Sequence, residues 1–206
     1  MTLRTLSNID EKILVVGSIY DKLDKIEKIR TIITNYGVTI FNGNLLYPFS
    51  DINQIKDRIQ IMNELLETRK VIYNLGAYDW KLLNILNQND EYFDIQKWII
   101  SKPNVIAIDF NSTSSVLVMN GGVTPNINNR NMLNDNLEVS FVSHFNDKPW
   151  QIYYSGLMGY IISNNPNNNK PTFYPYAAQI GSRYSDNFNV YAQEIDPSGL
   201  KNIITL

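Results

Sequence analysis

Four short loops carry the polar side chains that could do chemistry in this chain. They are Val-Val-Gly-Ser-Ile-Tyr at 15–20, Phe-Asn-Gly-Asn at 41–44, Asn-Leu-Gly-Ala-Tyr-Asp at 74–79 and Met-Asn-Gly-Gly-Val-Thr-Pro at 119–125, and each belongs to an apolar, strand-like run. In open α/β sheets, ligands sit in loops at the carboxyl ends of strands. What such a cluster can do depends on its donors. Two divalent ions about 3.5–4 Å apart need anionic oxygens and neutral imidazoles, with one ligand bridging both. These loops offer Ser18, Tyr20, Asn44, Tyr78 and Asn120, with Asp79 and Asp21 as the acids nearby. Asn amides are weak substitutes for carboxylates, and one carboxylate cannot anchor a pair of dications. Solvated acids at helix starts are the plainer reading of Asp79 and Asp21.

Other catalytic constellations are thinly represented. The chain has one histidine, His144, in Val-Ser-His-Phe-Asn-Asp-Lys-Pro-Trp. It could serve as a general base or lone ligand, but its apolar neighbours suggest a hydrogen-bonded side chain at the end of a half-buried strand. The sequence lacks a nucleophile elbow, a phosphate loop and a dinucleotide fingerprint. Thr113, Ser114 and Ser115 read as a polar turn before a strand. Tyr153, Tyr154, Phe173, Tyr174 and Tyr176 could stack on bases, yet the nearby cations are limited to Lys148, Lys170 and Arg183, so core or interface packing is the better reading.

The elements that must position these loops follow from periodicity. Lys12–Gly17 is a short apolar run that reads as a buried strand. Leu23, Ile26, Ile29 and Ile33 recur at helical spacing, and Tyr36-Gly37 ends that helix. Val38–Asn42 is strand-like. From Asp51 to Arg69 the positions Ile52, Ile55, Ile59, Met62, Leu65 and Leu66 mark a second helix, with Ser50 or Asp51 as N-cap. Val71–Asn74 is a third strand, Trp80–Leu86 begins a third helix, and Tyr92–Ser101 is a fourth. Repeated strand, loop and helix order predicts a largely parallel sheet. Beyond residue 104 the pattern changes to short β-branched or aromatic runs: Val105–Phe110, Val116–Met119, Leu137–Ser143, Gln151–Tyr154, Gly159–Ser163, Tyr176–Ile180 and Asn189–Ile195.

Composition sets outer limits. The chain has 206 residues, 44% hydrophobic and 12% aromatic, and lacks an obvious linker, which predicts one domain over 1–206. A net charge of −2 provides no global basic field for nucleic acid or anionic membrane. Cysteine is absent, which removes disulfides, Cys-zinc sites and thiol catalysis and fits a reducing compartment such as the cytoplasm. The N-terminus is polar and no apolar run approaches the roughly 18–20 residues of a membrane span, so the expectation is a soluble, unprocessed chain. Asn is abundant, clustered at 126–136 and 164–169.

Taken together and in order, the loops resemble those of the calcineurin-like metallophosphoesterases, which include the PPP-type Ser/Thr phosphatases and diadenosine tetraphosphatases. In that family the loops read Gly-Asp-x-His, Gly-Asp, Gly-Asn-His-(Asp/Glu) and His-Gly-Gly. The resemblance runs from about Lys12 to Ile195, and its specificity lies in the ordered set, since Gly17, Gly43, Gly76, Gly121 and Gly122 could each be ordinary turn glycines. It implies a four-layer α/β/β/α sandwich, two packed mixed sheets flanked by helices. It also implies that Ser18 stands for a ligand Asp, Tyr20 for His, Asn44 for the bridging Asp, Ala77 for the ligand Asn, Tyr78 for the catalytic His and Asn120 for the His of His-Gly-Gly. A fifth family motif, Gly-His-Thr-Pro or Gly-His-x-His, best matches Ile161–Pro166, which places Asn165 at another lost His; Ser155–Gly159 is the second choice. Tyr176–Ser182 resembles the later Ile-Asp-Thr-Gly strand, with Gly181 for its Asp.

On this resemblance the chain is expected to be a pseudoenzyme with no metal or other cofactor. Its expected role is binding or assembly through protein partners in a homo- or hetero-oligomer, for instance as a structural subunit of a bacteriophage virion. Two alternatives are a regulatory module holding a phosphorylated ligand or nucleotide through Asn44, Asn120 and loop amides, and a residual enzyme.

Overall fold

The computed structural model describes residues 3–17, 19, 22–48, 50–68, 70–87, 89–110, 114–120, 159–164, 171–176, 190–197 and 199–206. In chain order the elements are β1 (Leu3–Ser7), β2 (Ile13–Val16), α1 (Asp24–Ile32), β3 (Val38–Asn42), α2 (Ile52–Leu66), β4 (Val71–Asn74), α3 (Ala77–Leu86), α4 (Phe93–Ile100), β5 (Val105–Phe110), β6 (Ser114–Met119), β7 (Gly159–Asn164), β8 (Pro171–Tyr176), β9 (Tyr191–Asp196) and β10 (Gly199–Thr205).

Two mixed five-stranded sheets form. One has the order β10-β9-β2-β3-β4, with β2, β3 and β4 parallel and β9 and β10 antiparallel. The other has the order β1-β5-β6-β7-β8, parallel between β1 and β5 and antiparallel elsewhere. Strand periodicity sorts the side chains of the first sheet into two cores. Ile13, Val15, Ile40 and Ile72 pack with Ile106, Ile108, Phe110 and Val118 of the second sheet. Their sequence neighbours Leu14, Val16, Phe41, Val71 and Tyr73 point the other way, into a cluster with Ile26 and Ile29 of α1, Ile55, Met62 and Leu65 of α2, Leu82 and Leu86 of α3, and Ile95 and Ile99 of α4. Burial on both faces explains why these strands read as continuous apolar runs. The described helices all contribute to this one layer, and among the described residues no helix covers the outer face of the second sheet.

Local chemistry sets the element ends. The Asp51 carboxylate accepts the Asn53 amide at 2.8 Å and so caps α2. A short 3₁₀ turn, Ile33–Asn35, closes α1, where the apolar pattern continued to Ile33.

Several elements differ from the sequence expectation. Strands β1, β8 and β10 are additional. β1 is an edge strand with Arg4 and Thr5 exposed, so it lacks the apolar signature of an interior strand. Ser114 and Ser115 are strand residues paired with Phe110 and Asp109, where a polar turn was expected. The strands expected at Leu137–Ser143, Gln151–Tyr154 and beyond Tyr176 to Ile180 lie outside the described residues, as do the Asn-rich segments at 126–136 and 165–169.

Candidate functional site

The loops after β3 and β4 close on each other at the carboxyl ends of these parallel strands, and Asn120 enters from the end of β6. Gly43 and Asn44 both have positive φ, 77° and 60°. The left-handed region is natural for Gly and open to Asn, whose short polar side chain bonds locally. A methyl group on Gly43 would run into the backbone of Gly76, and one on Gly76 would run into the backbone and side chain of Asn44. Two facing glycines therefore let the loops approach at backbone contact.

Asp79 is the hub of this contact. Its side chain is fully buried. Oδ2 accepts the Asn44 amide at 3.0 Å, the Gly76 amide at 2.8 Å and the Tyr73 hydroxyl at 2.6 Å, while Oδ1 accepts the Leu46 amide at 2.9 Å. The Tyr73 hydroxyl in turn accepts the Leu45 amide at 3.0 Å. The solvated helix-start acid expected from sequence is thus corrected. Asp79 does lie in the first turn of α3, but the β3 loop folds over it and removes it from water. Burial raises its pKa to about 6, opposed by the bonds from Tyr73, Leu46, Gly76 and Asn44. Burial and the adjacent carboxylate push the Tyr73 hydroxyl well above its ordinary value.

Asn44 and Asn120 are also held by protein groups. Asn44 Oδ1 accepts the Tyr78 amide at 2.9 Å, and Asn44 Nδ2 donates to Asn120 Oδ1 at 3.3 Å. Asn120 Nδ2 donates to the Asn42 carbonyl at 2.7 Å, which ties the second sheet to the end of β3. The ring of Tyr78 is buried and meets Tyr47 edge-on, 5.6 Å between centroids. Ala77 is the first residue of α3.

The structure therefore brings together Asn44, Ala77, Tyr78, Asp79 and Asn120 of the positions named from sequence. Ser18, Tyr20, Asp21, His144, Asn165 and Gly181 lie outside the described residues. The strand before Asn165 has an informative direction. β7 runs antiparallel to β6, with Met119 opposite Tyr160 and Ser115 opposite Asn164. Asn164 is thus at the end of the sheet remote from Asn120, whereas Tyr160 and Gly159 lie at the end that Asn120 occupies; residues 155–158 lie outside the described residues. Sequence reasoning missed Tyr73, Asn42, Asn74 and Arg58. Tyr73 reads as an ordinary strand aromatic. Arg58 reads as a solvated helical cation but is buried, with Nη1 3.4 Å from the Leu45 carbonyl. Among the described residues, no group of three or more His, Cys, Asp or Glu side chains is placed to hold a metal ion.

The paired mixed sheets, with helices on one and loops clustered at the carboxyl ends of the parallel strands, match the metallophosphoesterase fold that the loop resemblance implies. A solved structure described as a candidate diadenosine tetraphosphatase superposes with a TM-score of 0.59 at 15% identity, covering 99% of this chain and 96% of that one. A protein serine/threonine phosphatase from Saccharomyces cerevisiae, described as similar to human phosphatase PP5, gives a TM-score of 0.45 at 18% identity over 75% of this chain and 51% of that one. No family model matches the sequence, and no curated protein does.

Proposed function

We propose that this chain is a catalytically inactive, metallophosphoesterase-like single domain that works as a binding or assembly component. The observation that carries the reading is the engagement of Asp79 and Asn44. Both Asp79 oxygens are occupied by donors from its own fold, and Asn44 Oδ1 is taken by the Tyr78 amide. The dinuclear metal centre implied by the fold does not fit this donor set. On the loop resemblance, neutral Ser18, Tyr20, Asn44, Ala77 and Asn120 stand at ligand positions, and the nearby carboxylate serves as an internal clamp.

The reading in which the old cleft holds a phosphorylated ligand or nucleotide has less support. It needs Asn44, Asn120 and loop amides as donors, and Asn44 Nδ2, Asn120 Nδ2 and the Asn44 amide already donate to Asn120, Asn42 and Asp79. Contacts outside the loop cluster are the better place for a protein partner, and a large particle such as a virion is one such setting. No described helix is long and apolar enough to cross a membrane.

Elemental analysis of protein purified without chelator tests the reading directly, together with assays on aryl phosphates, phosphodiesters and dinucleoside polyphosphates in added manganese. The expected result is no stoichiometric metal and background turnover. Two tightly held manganese, iron or zinc ions per chain, or turnover lost on His144→Ala, would overturn it. His144 belongs in that test because it is the one histidine of the sequence.

A further inference from the structure

Beneath the loop cluster, four asparagines form a circuit between the two sheets. Asn74 Nδ2 donates to Asn42 Oδ1 at 2.8 Å, and the Asn42 carbonyl accepts Asn120 Nδ2 at 2.7 Å. The Leu75 amide donates to the Pro103 carbonyl at 2.7 Å, so the peptide that follows Asn74 is joined to the peptide that precedes Asn104. The β5–β6 ladder pairs Val105 with Met119, and one step further in that register sets Asn104 opposite Asn120. All four residues are buried, none above 1% exposed.

The circuit is incomplete in one sector. Asn74 Oδ1 and both side-chain atoms of Asn104 lie out of contact with water and lack a hydrogen-bond partner among the described residues. A buried amide left in this state is destabilising, which is why native interiors pair such groups with protein or ordered water. Reorienting the amides does not repair it. Turning Asn104 over exchanges one orphan acceptor and one orphan donor, and turning Asn74 over breaks its bond to Asn42.

We propose that this sector is an internal water site, bound by Asn74 Oδ1 and the Asn104 amide and fixing the seam between the sheets under Asn120. The unmatched set comprises acceptors and a donor. Water serves both, whereas a monovalent cation would satisfy the oxygens and leave Asn104 Nδ2 facing a positive charge.

The test is a pair of atomic-resolution crystal structures of the full chain, one grown in sodium and one in rubidium salt. The expected result is a solvent peak without anomalous signal, within hydrogen-bond distance of Asn74 Oδ1 and an Asn104 amide atom in both. Asn104→Leu should lose that peak, and Asn104→Ser should keep it, since the hydroxyl still offers a donor and acceptor. An anomalous rubidium peak would replace water with a cation, and a direct Asn74–Asn104 side-chain bond with no density between them would remove the site. Should Asn104→Leu fail to fold, the wild-type pair and Asn104→Ser decide the matter alone.

Discussion

Tyr73 and Asp79 are joined by a 2.6 Å hydrogen bond across the turn between β4 and α3, and both side chains are buried. The same carboxylate accepts three backbone amides drawn from the β3 and β4 loops. One side chain thus holds two loops in register, and the first prediction concerns its removal. Asp79→Ala leaves several buried donors unmatched and is expected to cost about 3–4 kcal/mol in urea unfolding. Tyr73→Phe should cost about 1–3 kcal/mol, because it strands the Leu45 amide as well as shortening the carboxylate's shell. Losses within 0.5 kcal/mol of zero, roughly what neutral surface substitutions give, would show that the hub contributes nothing.

The same carboxylate predicts a pH dependence. Its folded-state pKa is raised from 3.8 to about 6, so between those values the folded protein binds more proton than the unfolded chain. The contribution is therefore fully present below about pH 4 and is lost as pH rises through about 6, an effect on the order of 3 kcal/mol. Wild type minus Asp79→Asn unfolding free energies, measured from pH 4 to 7, should show this slope. A flat difference would contradict it.

Gly43 and Gly76 supply the third prediction. Gly76→Ala forces a methyl into Asn44 and should destabilise by about 2–3 kcal/mol. Gly43→Ala adds left-handed strain of about 1–2 kcal/mol to a similar clash. Equal stability of either variant to wild type would mean that the loops part easily, and the clamp would then not be rigid.

Restoring one family-like ligand should not restore a metal centre. Asn44→Asp keeps an acceptor for the Tyr78 amide and removes the donor to Asn120. It gives at most one carboxylate beside Asp79, whose oxygens are occupied. Expected outcomes are no tight manganese binding by calorimetry and a stability loss of about 1 kcal/mol. Submicromolar binding of two ions would show that the site lies one substitution from function.

The sequence by itself determined the elements buried on both faces. Val38–Asn42, Val71–Asn74 and Val105–Phe110 are strands with the bounds their apolar runs imply, because interior strands between two cores must be apolar at successive positions. It likewise determined the loop order, since Gly43 and Gly76 mark where backbone had to turn or touch. Only tertiary structure decided the chemistry of the acids and amides. An Asp in the first turn of a helix looks the same in sequence whether solvent or a neighbouring loop covers it, and the β3 loop settled this for Asp79. The edge strand Leu3–Ser7 was illegible for the converse reason: at the end of its sheet and with three of its five residues exposed, it needs no apolar pattern. The direction of β7, and with it which end of that strand adjoins Asn120, depends on pairing with β6 across a long intervening segment, and strand direction leaves no mark on residue periodicity.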